Sequence, residues 1–299
     1  GKVVVKTAKG YKVESVDFKK PVAIIPNVAI HLNREVNKGF SYNAQTQLNA
    51  LLSVSASAEN PLYNAIAEEL KIKEEQILET ELFLYDFAPA QLIGLNQEMI
   101  TAQGLDNLSM THCILSALLK CDKPQKTAVG IFFDNEEIGS LTSQGADSLL
   151  LDEILERICL SQSNSREDFY LALRNSFFIS ADVANAWHPS FSEKYDPDYA
   201  PLMNKGPVIK FDAYSRYASN AESSYHFIHL CEKVKVPYQK FVVRSDGTGG
   251  ITIGPILSAR LGLNTVDIGN PIWAMHSIRE TGGIEDHLYL IKVLSQYFG

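Results

Sequence analysis

The sequence predicts an α/β protein in which a mixed, largely parallel sheet is flanked by helices and is preceded by a second, mostly β accessory domain. From about residue 98, segments with the composition of strand, loop and helix follow one another several times, which is typical of such a sheet. Residues 1–97 instead contain short strand-like runs with little helix. A chain of 299 residues with 45% hydrophobic content is large enough for two domains. We therefore expect an accessory domain at 1–97 and a larger domain at 98–299.

The elements of the accessory domain are predicted from alternating runs and helix-start signals. Pro61 opens one predicted helix, and Lys73-Glu-Glu-Gln is typical of the start of another. The predicted strands are 2–6, 11–16, 22–25 and 81–87, and the predicted helices are 61–70 and 73–79.

The larger domain is predicted around one apolar segment, Thr127–Asp134, whose β-branched and aromatic residues are typical of a buried central strand. Asp106 or Asn107 is predicted to cap a helix with apolar residues at helical spacing. The other predicted strands are 177–181, 238–244 and 265–268, and the other predicted helices are 145–160, 220–232, 254–261 and 285–298.

Composition excludes several classes of protein. The net charge of −8, with no cluster of basic residues among aromatics, argues against nucleic-acid binding. No apolar run approaches the ~20 residues that span a membrane, and the first residues lack the apolar core of a signal peptide, so we expect a cytoplasmic protein. The four cysteines form no CxxC pair, which favours buried thiols over a disulfide framework.

Acidic side chains and one histidine follow the predicted strands. Glu136 and Glu137 follow the central strand, Asp182 follows another, His276 follows a third after a short loop, and Asp106 lies at a helix start. Because sites in α/β sheets form at the carboxyl ends of strands, these groups could meet in one crevice, where carboxylate and imidazole suit a divalent metal. Spacing alone leaves other interpretations open: the glutamates fit a solvated loop, Asp182 a helix cap, and His276 a surface histidine.

Seven segments in sequence order resemble the aspartyl aminopeptidase family of dinuclear zinc metallopeptidases, and the resemblance extends from Val3 to the last helix. The segments are Asp106-Asn-Leu, Phe133-Asp-Asn-Glu-Glu-Ile-Gly-Ser140, Ser180-Ala-Asp-Val-Ala184 with Ala186-Trp-His-Pro189, Lys205-Gly-Pro-Val-Ile-Lys210, Arg216-Tyr-Ala-Ser-Asn220, Thr252-Ile-Gly-Pro-Ile-Leu257 and Ala274-Met-His-Ser-Ile-Arg-Glu280.

The resemblance implies a role for each matching residue. Asp106 would bridge two metal ions, zinc first, with manganese or cobalt as alternatives. Glu137 and His276 would bind one ion, Asp182 would bind the other, and Glu136 would be the general base.

It also implies residues outside the metal set. Lys210 and Tyr217 would contact substrate, and His31 would reach into a neighbouring subunit of an assembly of dimers that forms a dodecamer. From the residues alone, Lys210 could be a solvated strand end, Tyr217 a packing residue and His31 a buried histidine.

The chain departs from the family pattern in three places. The family's remaining zinc-binding histidine has no match here, Asn185 stands where a second histidine is common, and Gly104 replaces the usual arginine before Leu-Asp-Asn. Because Gly1 begins in a strand-like run, we expect a fragment of a longer protein, with metal ions that are partial or absent.

The expected function is metal-dependent removal of amino-terminal residues from peptides, with Asp or Glu preferred. A hydroxide held by two metal ions would attack the peptide carbonyl, with Glu136 as general base. The alternative is a catalytically inactive shell-forming or cargo protein of the same fold.

Overall fold

A computed structural model describes residues 1–54, 60–247 and 249–299. The chain forms two compact units, Gly1–Ala88 and Pro89–Gly299. The boundary that the sequence predicts after residue 97 stays a prediction. In the described ranges, no helix is both long and apolar enough to cross a membrane.

The first unit is built on a three-stranded antiparallel sheet. Its strands are Lys2–Thr7 (β1), Gly10–Ser15 (β2) and Ile77–Glu81 (β3), in the order β2-β1-β3. Two helices, Ala44–Gln47 (α1) and Pro61–Leu70 (α2), lie between β2 and β3 in sequence. Alternate β1 residues Val3 and Val5 are buried with Ile66 of α2, so the sheet and this helix share one apolar core.

Three local predictions for this unit are wrong. The predicted helix 73–79 is a single 3-10 turn, Glu74–Gln76, followed by β3, because the backbone of 77–81 hydrogen-bonds to β1 instead. Of the predicted strand 81–87, only Glu81 lies in a strand, as the last residue of β3 that pairs with β1. The predicted strand 22–25 forms only one bridge, between Ile24 and Leu51. In each case pairing with distant residues, which local composition does not encode, decides the structure.

The second unit contains six helices and nine strands in its described residues. The helices are Leu105–Leu119 (α3), Leu150–Ser161 (α4), Arg166–Arg174 (α5), Ala221–Lys233 (α6), Ile253–Leu261 (α7) and Ile284–Phe298 (α8). The strands are Gln91–Ile93 (β4), Met99–Ala102 (β5), Phe177–Ala181 (β6), Ala184–Asn185 (β7), Val208–Phe211 (β8), Gln239–Val242 (β9), Asn264–Gly269 (β10), Pro271–Trp273 (β11) and Glu280–Gly283 (β12).

These strands form two mixed sheets. One has the order β6-β10-β8-β9 and the other β4-β5-β12-β11-β7. The pairs β6/β10, β8/β9 and β7/β11 are parallel, and the other pairs are antiparallel. Helices α3, α6 and α8 contribute to the main apolar core together with β8 and β10. The predicted α/β class is therefore confirmed.

The predicted central strand, Thr127–Asp134, is not a strand. In the part of the chain that the structure describes, no strand pairs with this segment, and the Asp134 N–H donates to the Gln144 carbonyl. Ile131 and Phe133 pack against a second apolar cluster, whereas Phe132 is 47% exposed. The side chains of 131–133 thus alternate between partial burial and exposure as in a strand, but a ladder also needs a partner strand. The centre of the four-stranded sheet is occupied by β10 and β8.

Candidate metal centre

Asp106 lies at an irregular start of α3. Gly104 before it has a left-handed backbone (φ 61°), a conformation that glycine adopts without strain. This backbone is a physical reason for glycine, in place of the family's usual arginine, at this position. Asp106 itself is non-helical (φ −82°, ψ 109°), and a cis peptide bond joins it to Asn107. The Asn107 side chain donates to the Ala181 carbonyl at 2.9 Å. Neither residue caps the helix as predicted; instead, Asn107 ties the turn that carries Asp106 to the end of β6.

Glu136 and Glu137 begin a short 3-10 helix, Glu136–Ile138. Asn135 enters it with a left-handed backbone (φ 60°), a conformation that asparagine tolerates better than most residues. The Asn135 carbonyl accepts the Ser140 N–H at 2.9 Å, and its side-chain oxygen accepts the Thr142 hydroxyl at 2.8 Å. These bonds close the loop and hold the two glutamates at its start.

His276 meets two of the predicted ligands. Its Nε2 lies 3.1 Å from Asp106 Oδ2 and 3.2 Å from Glu137 Oε2. One ligand atom from each of these three residues lies within 4.8 Å of the other two. The Asp106 side chain is only 7% exposed, whereas His276 and Glu137 are open to solvent. This is the donor set and spacing that one divalent ion can use.

Asp182 follows β6 directly and is paired with Lys210 of β8. Lys210 Nζ donates to the carbonyls of Asp182 at 3.1 Å and Val183 at 3.2 Å, and it lies 3.5 Å from Asp182 Oδ2. It is also 5.1 Å from the ring centroid of Tyr217. Burial alone would lower the pKa of Lys210, but Asp182, Tyr217 and Asp267 raise it above its usual value. Lys210 is therefore a buried cation with three oxygen atoms within 3.5 Å of its nitrogen.

The carboxyl groups of the site repel one another. Burial first, then Asp182 and Glu137, raise the pKa of Asp106 to about 8. Burial, Asp182 and Glu137 likewise raise the pKa of Glu136 to about 7. A divalent cation favours the deprotonated form of each group and offsets this repulsion, so the residues present fit a metal ion.

The predicted residues of the second unit line one cavity of about 90 Å³. Glu136 and Asp182 line it together with the candidate ligands Asp106, Glu137 and His276, and Asn185 also lies on its wall. The predicted residues on the wall are Asp106, Glu136, Glu137, Asp182, Lys210, Tyr217 and His276. His31 belongs to the first unit, where it is exposed, and its predicted role in a neighbouring subunit's site stays a prediction.

Glu280 is a site residue to which the sequence gives no role. It is 2% exposed, and its two side-chain oxygens accept the backbone N–H groups of Asp106 at 2.9 Å and His276 at 2.8 Å. The sequence signal that could have identified Glu280 is an acidic residue four positions after His276 and shortly before two glycines. Its hydrogen bonds depend on tertiary contact and could not be read from that spacing.

Comparison with known proteins agrees with the geometry. The family model described as "Aminopeptidase I zinc metalloprotease (M18)" matches residues 1–298. A probable M18 family aminopeptidase 2 of Clostridium novyi is 45% identical over 286 residues, which are 95% of this chain and 66% of that protein. The chain thus spans about two thirds of the length of this relative.

Two solved structures have the same fold. One, from the cryo-EM structure of the Ape4 and Nbr1 complex, has a TM-score of 0.92 and 34% identity, covering all of this chain and 62% of the other. The other, from the mApe1 dodecamer of S. cerevisiae, has a TM-score of 0.80 and 24% identity, covering all of this chain and 67% of the other. The resemblance seen in the sequence is confirmed: the chain belongs to the M18 family of zinc metallopeptidases, the aspartyl aminopeptidase family.

Proposed function

We propose that this chain carries the active site of a metal-dependent aminopeptidase, which removes single residues from the amino termini of peptides. The observation that carries the proposal is the meeting of Asp106, Glu137 and His276, with ligand atoms within 4.8 Å of one another, in a cavity that Glu136 and Asp182 also line. These groups come from separate parts of the chain, and three of them place donor atoms at the spacing that a divalent ion uses.

The metal is proposed to be zinc, which accepts carboxylate oxygen and imidazole nitrogen together; manganese and cobalt also suit these ligands. Two ions are proposed. Glu137 and His276 would hold one, Asp182 would hold the other, and Asp106 would bridge them. Bound there, the ions would polarise the peptide carbonyl and acidify water.

Glu136 is proposed as the general base. It lies in the cavity beside Glu137, half-buried among carboxyl groups, and burial together with Asp182 and Glu137 makes it hold a proton more readily than an exposed glutamate does by raising its pKa. Glu136 would take the proton of the attacking water and deliver it to the nitrogen of the leaving amine. Adjacent glutamates would thus have different roles, one as base and one as ligand.

Peptides that begin with Asp or Glu are the proposed substrates. Lys210 is the cation on the cavity wall, and Tyr217 lies beside it, which supports their contact with substrate. In the arrangement described, the Lys210 ammonium faces Asp182 and Val183, so a substrate carboxylate would have to compete with these oxygens. Asn185 on the same wall stands where the family commonly has a second histidine, and this departure weighs against the acidic preference.

We also propose a cytoplasmic homo-oligomer of dimers, up to a dodecamer, to whose neighbouring sites His31 contributes. The dodecamer of the yeast relative supports this assembly. The competing proposal is a shell-forming or cargo protein without catalysis, which would assemble but neither bind metal nor cleave peptides.

The test is hydrolysis of chromogenic Asp-, Glu- and Leu-terminated substrates by the full natural protein with zinc, manganese or cobalt. We expect Glu136→Gln to lower kcat by at least about 100-fold, since general acid–base catalysis contributes 10²–10⁴-fold. Glu153→Gln, at an exposed carboxylate in the first turn of α4, is the matched control and should retain wild-type rates. Wild-type rates for Glu136→Gln would refute the mechanism. Intact oligomers without metal or turnover would support the non-catalytic alternative.

A further inference from the structure

Glu280 occupies a particular place in the five-stranded sheet. It begins β12, which lies between β5 and β11. Strand β5 leads into the turn that carries Asp106, and β11 leads into the loop that carries His276. Glu280 is paired with Ala102 in the ladder, and its carbonyl accepts the Thr101 hydroxyl at 2.9 Å. Its side chain therefore starts from a backbone position fixed between the two ligand-bearing segments.

The carboxylate of Glu280 joins those two segments directly. Oε2 accepts the Asp106 N–H at 2.9 Å, and Oε1 accepts the His276 N–H at 2.8 Å. Because the group is 2% exposed, water offers these donors little competition, and hydrogen bonds to a buried charge are stronger than neutral ones. One side chain thus sets the separation of two backbone positions that are far apart in sequence.

Both backbone positions need such support. His276 has a left-handed backbone (φ 65°), which residues other than glycine adopt infrequently, and Asp106 is non-helical within the first turn of α3. Without the Glu280 bonds, each segment would be free to return to a more common conformation. The side chains of His276 and Asp106, now 3.1 Å apart, would then separate.

We propose that Glu280 is the positioning residue of the metal centre: its carboxylate holds Asp106 and His276 at ligand spacing through their backbone N–H groups. This inference rests on the proposed metal site and deepens it. Glu280 is not a ligand in this account and touches no substrate. Loss of a group that orients ligands typically weakens metal affinity by about 10–100-fold.

The informative variant is Glu280→Gln in the full protein. Glutamine keeps the shape but has one acceptor oxygen, so its amide group would face one of the two N–H donors. Asp286→Asn is the matched control, because Asp286 is also buried and accepts backbone N–H groups, those of Asn204 and Gly206, away from the cavity. A general loss of stability would affect both variants, whereas loss of ligand spacing would affect only the first.

Two measurements separate this inference from the proposed function. In metal-free protein, we expect Glu280→Gln to speed amide hydrogen exchange in the segments containing Asp106 and His276 and nowhere else. Unchanged exchange in these segments would refute the positioning role of Glu280. Zinc affinity is measured by competition with a chromophoric chelator. We expect it to be about 10–100-fold weaker than wild type for Glu280→Gln and near wild type for Asp286→Asn. Cobalt absorption bands should shift in the first variant only.

Equal zinc affinities for Glu280→Gln and wild type would overturn the inference even if wild type binds zinc well. If wild type itself binds no zinc, the proposed metal site fails, and the positioning role fails with it. The exchange measurement would still report whether Glu280 holds the two segments.

Discussion

Lys210 Nζ lies 3.5 Å from the carboxylate of Asp182 and donates to the Asp182 carbonyl at 3.1 Å. One ammonium group therefore holds both the side chain and the backbone of the same residue. Because Lys210 is 2% exposed, removing its charge would leave a carboxylate and two carbonyl oxygens without their donor.

We expect Lys210→Met to destabilise the protein by about 2–4 kcal/mol, since breaking a largely buried ion pair leaves an uncompensated charge. Methionine retains most of the apolar stem, so packing loss is small. Lys240→Met is the control, because Lys240 is exposed on the adjacent strand β9, and it should change stability by less than about 0.5 kcal/mol. Urea denaturation of both variants measures the difference. Equal effects would show that Lys210 does not anchor Asp182.

Position 269 requires glycine because the backbone of Asp182 lies too close for a side chain. A Cβ added at Gly269 would lie 1.9 Å from the Asp182 carbonyl oxygen, where the end of β6 meets β10. We expect Gly269→Ala to displace this backbone and to lower stability by about 1–3 kcal/mol, as overpacking does. Gly250→Ala is matched to it, since among the described residues no atom lies within 4 Å of its added Cβ. Thermal unfolding should separate the two variants; similar melting temperatures would contradict the close-approach explanation.

His276 is expected to determine how much zinc the protein retains. His276→Asn keeps a residue that tolerates the left-handed backbone but removes the proposed nitrogen ligand. We expect zinc affinity to fall by more than about 100-fold, beyond the usual cost of losing a group that only orients ligands. His229→Asn changes an exposed histidine on α6 and should leave zinc content unchanged. Elemental analysis after dialysis measures the zinc that each variant retains. Full zinc retention by His276→Asn would show that His276 is not part of the proposed site.

The raised pKa of Asp286 predicts that the stability of the protein depends on pH. Burial raises its pKa from 3.8 to about 6, although the N–H groups of Asn204 and Gly206 act in the opposite direction. The folded protein thus binds this proton more tightly than the unfolded chain does. The stability that it contributes is complete below about pH 4 and is lost as the pH rises through about 6.

Asp286→Asn cannot titrate, so it isolates this effect. We expect the free energy of unfolding of wild type, relative to the variant, to decrease by roughly 2–3 kcal/mol between pH 4 and pH 7. Urea denaturation across this range measures it. Glu285→Gln, at the exposed neighbouring carboxylate, should show no comparable change. A pH-independent difference for Asp286→Asn would contradict the raised pKa.

Local sequence was sufficient where an element depends on its own residues. The predicted strand 177–181 coincides with β6, and the predicted helix 220–232 differs from α6 by one residue at each end. At its start, Asn220 is the N-cap, and its side chain accepts the Ser223 N–H. Asp106, Glu137 and His276 are candidates because each lies beside a predicted strand or helix, and the family resemblance marks them as ligands. Their meeting at one point depends on tertiary structure, since the segment before Glu137 pairs with no described strand.

Sequence was insufficient where structure depends on distant partners. Thr127–Asp134 has the composition of a strand, yet composition does not specify which strand pairs with it. Residues 77–79 have helix-forming neighbours but pair with β1. Glu280 is one acidic residue among many until the fold brings two N–H groups to its oxygens.

The left-handed backbone at His276 limits how the metal preference of this protein could be redesigned. Only a few residue types accept that conformation readily, and aspartate is one of them. His276→Asp would therefore preserve the loop while exchanging the proposed nitrogen ligand for an oxygen ligand. An all-carboxylate set favours harder ions such as manganese or magnesium over zinc. A single substitution, chosen by backbone geometry, would thus test whether the proposed site can be shifted from zinc toward these ions.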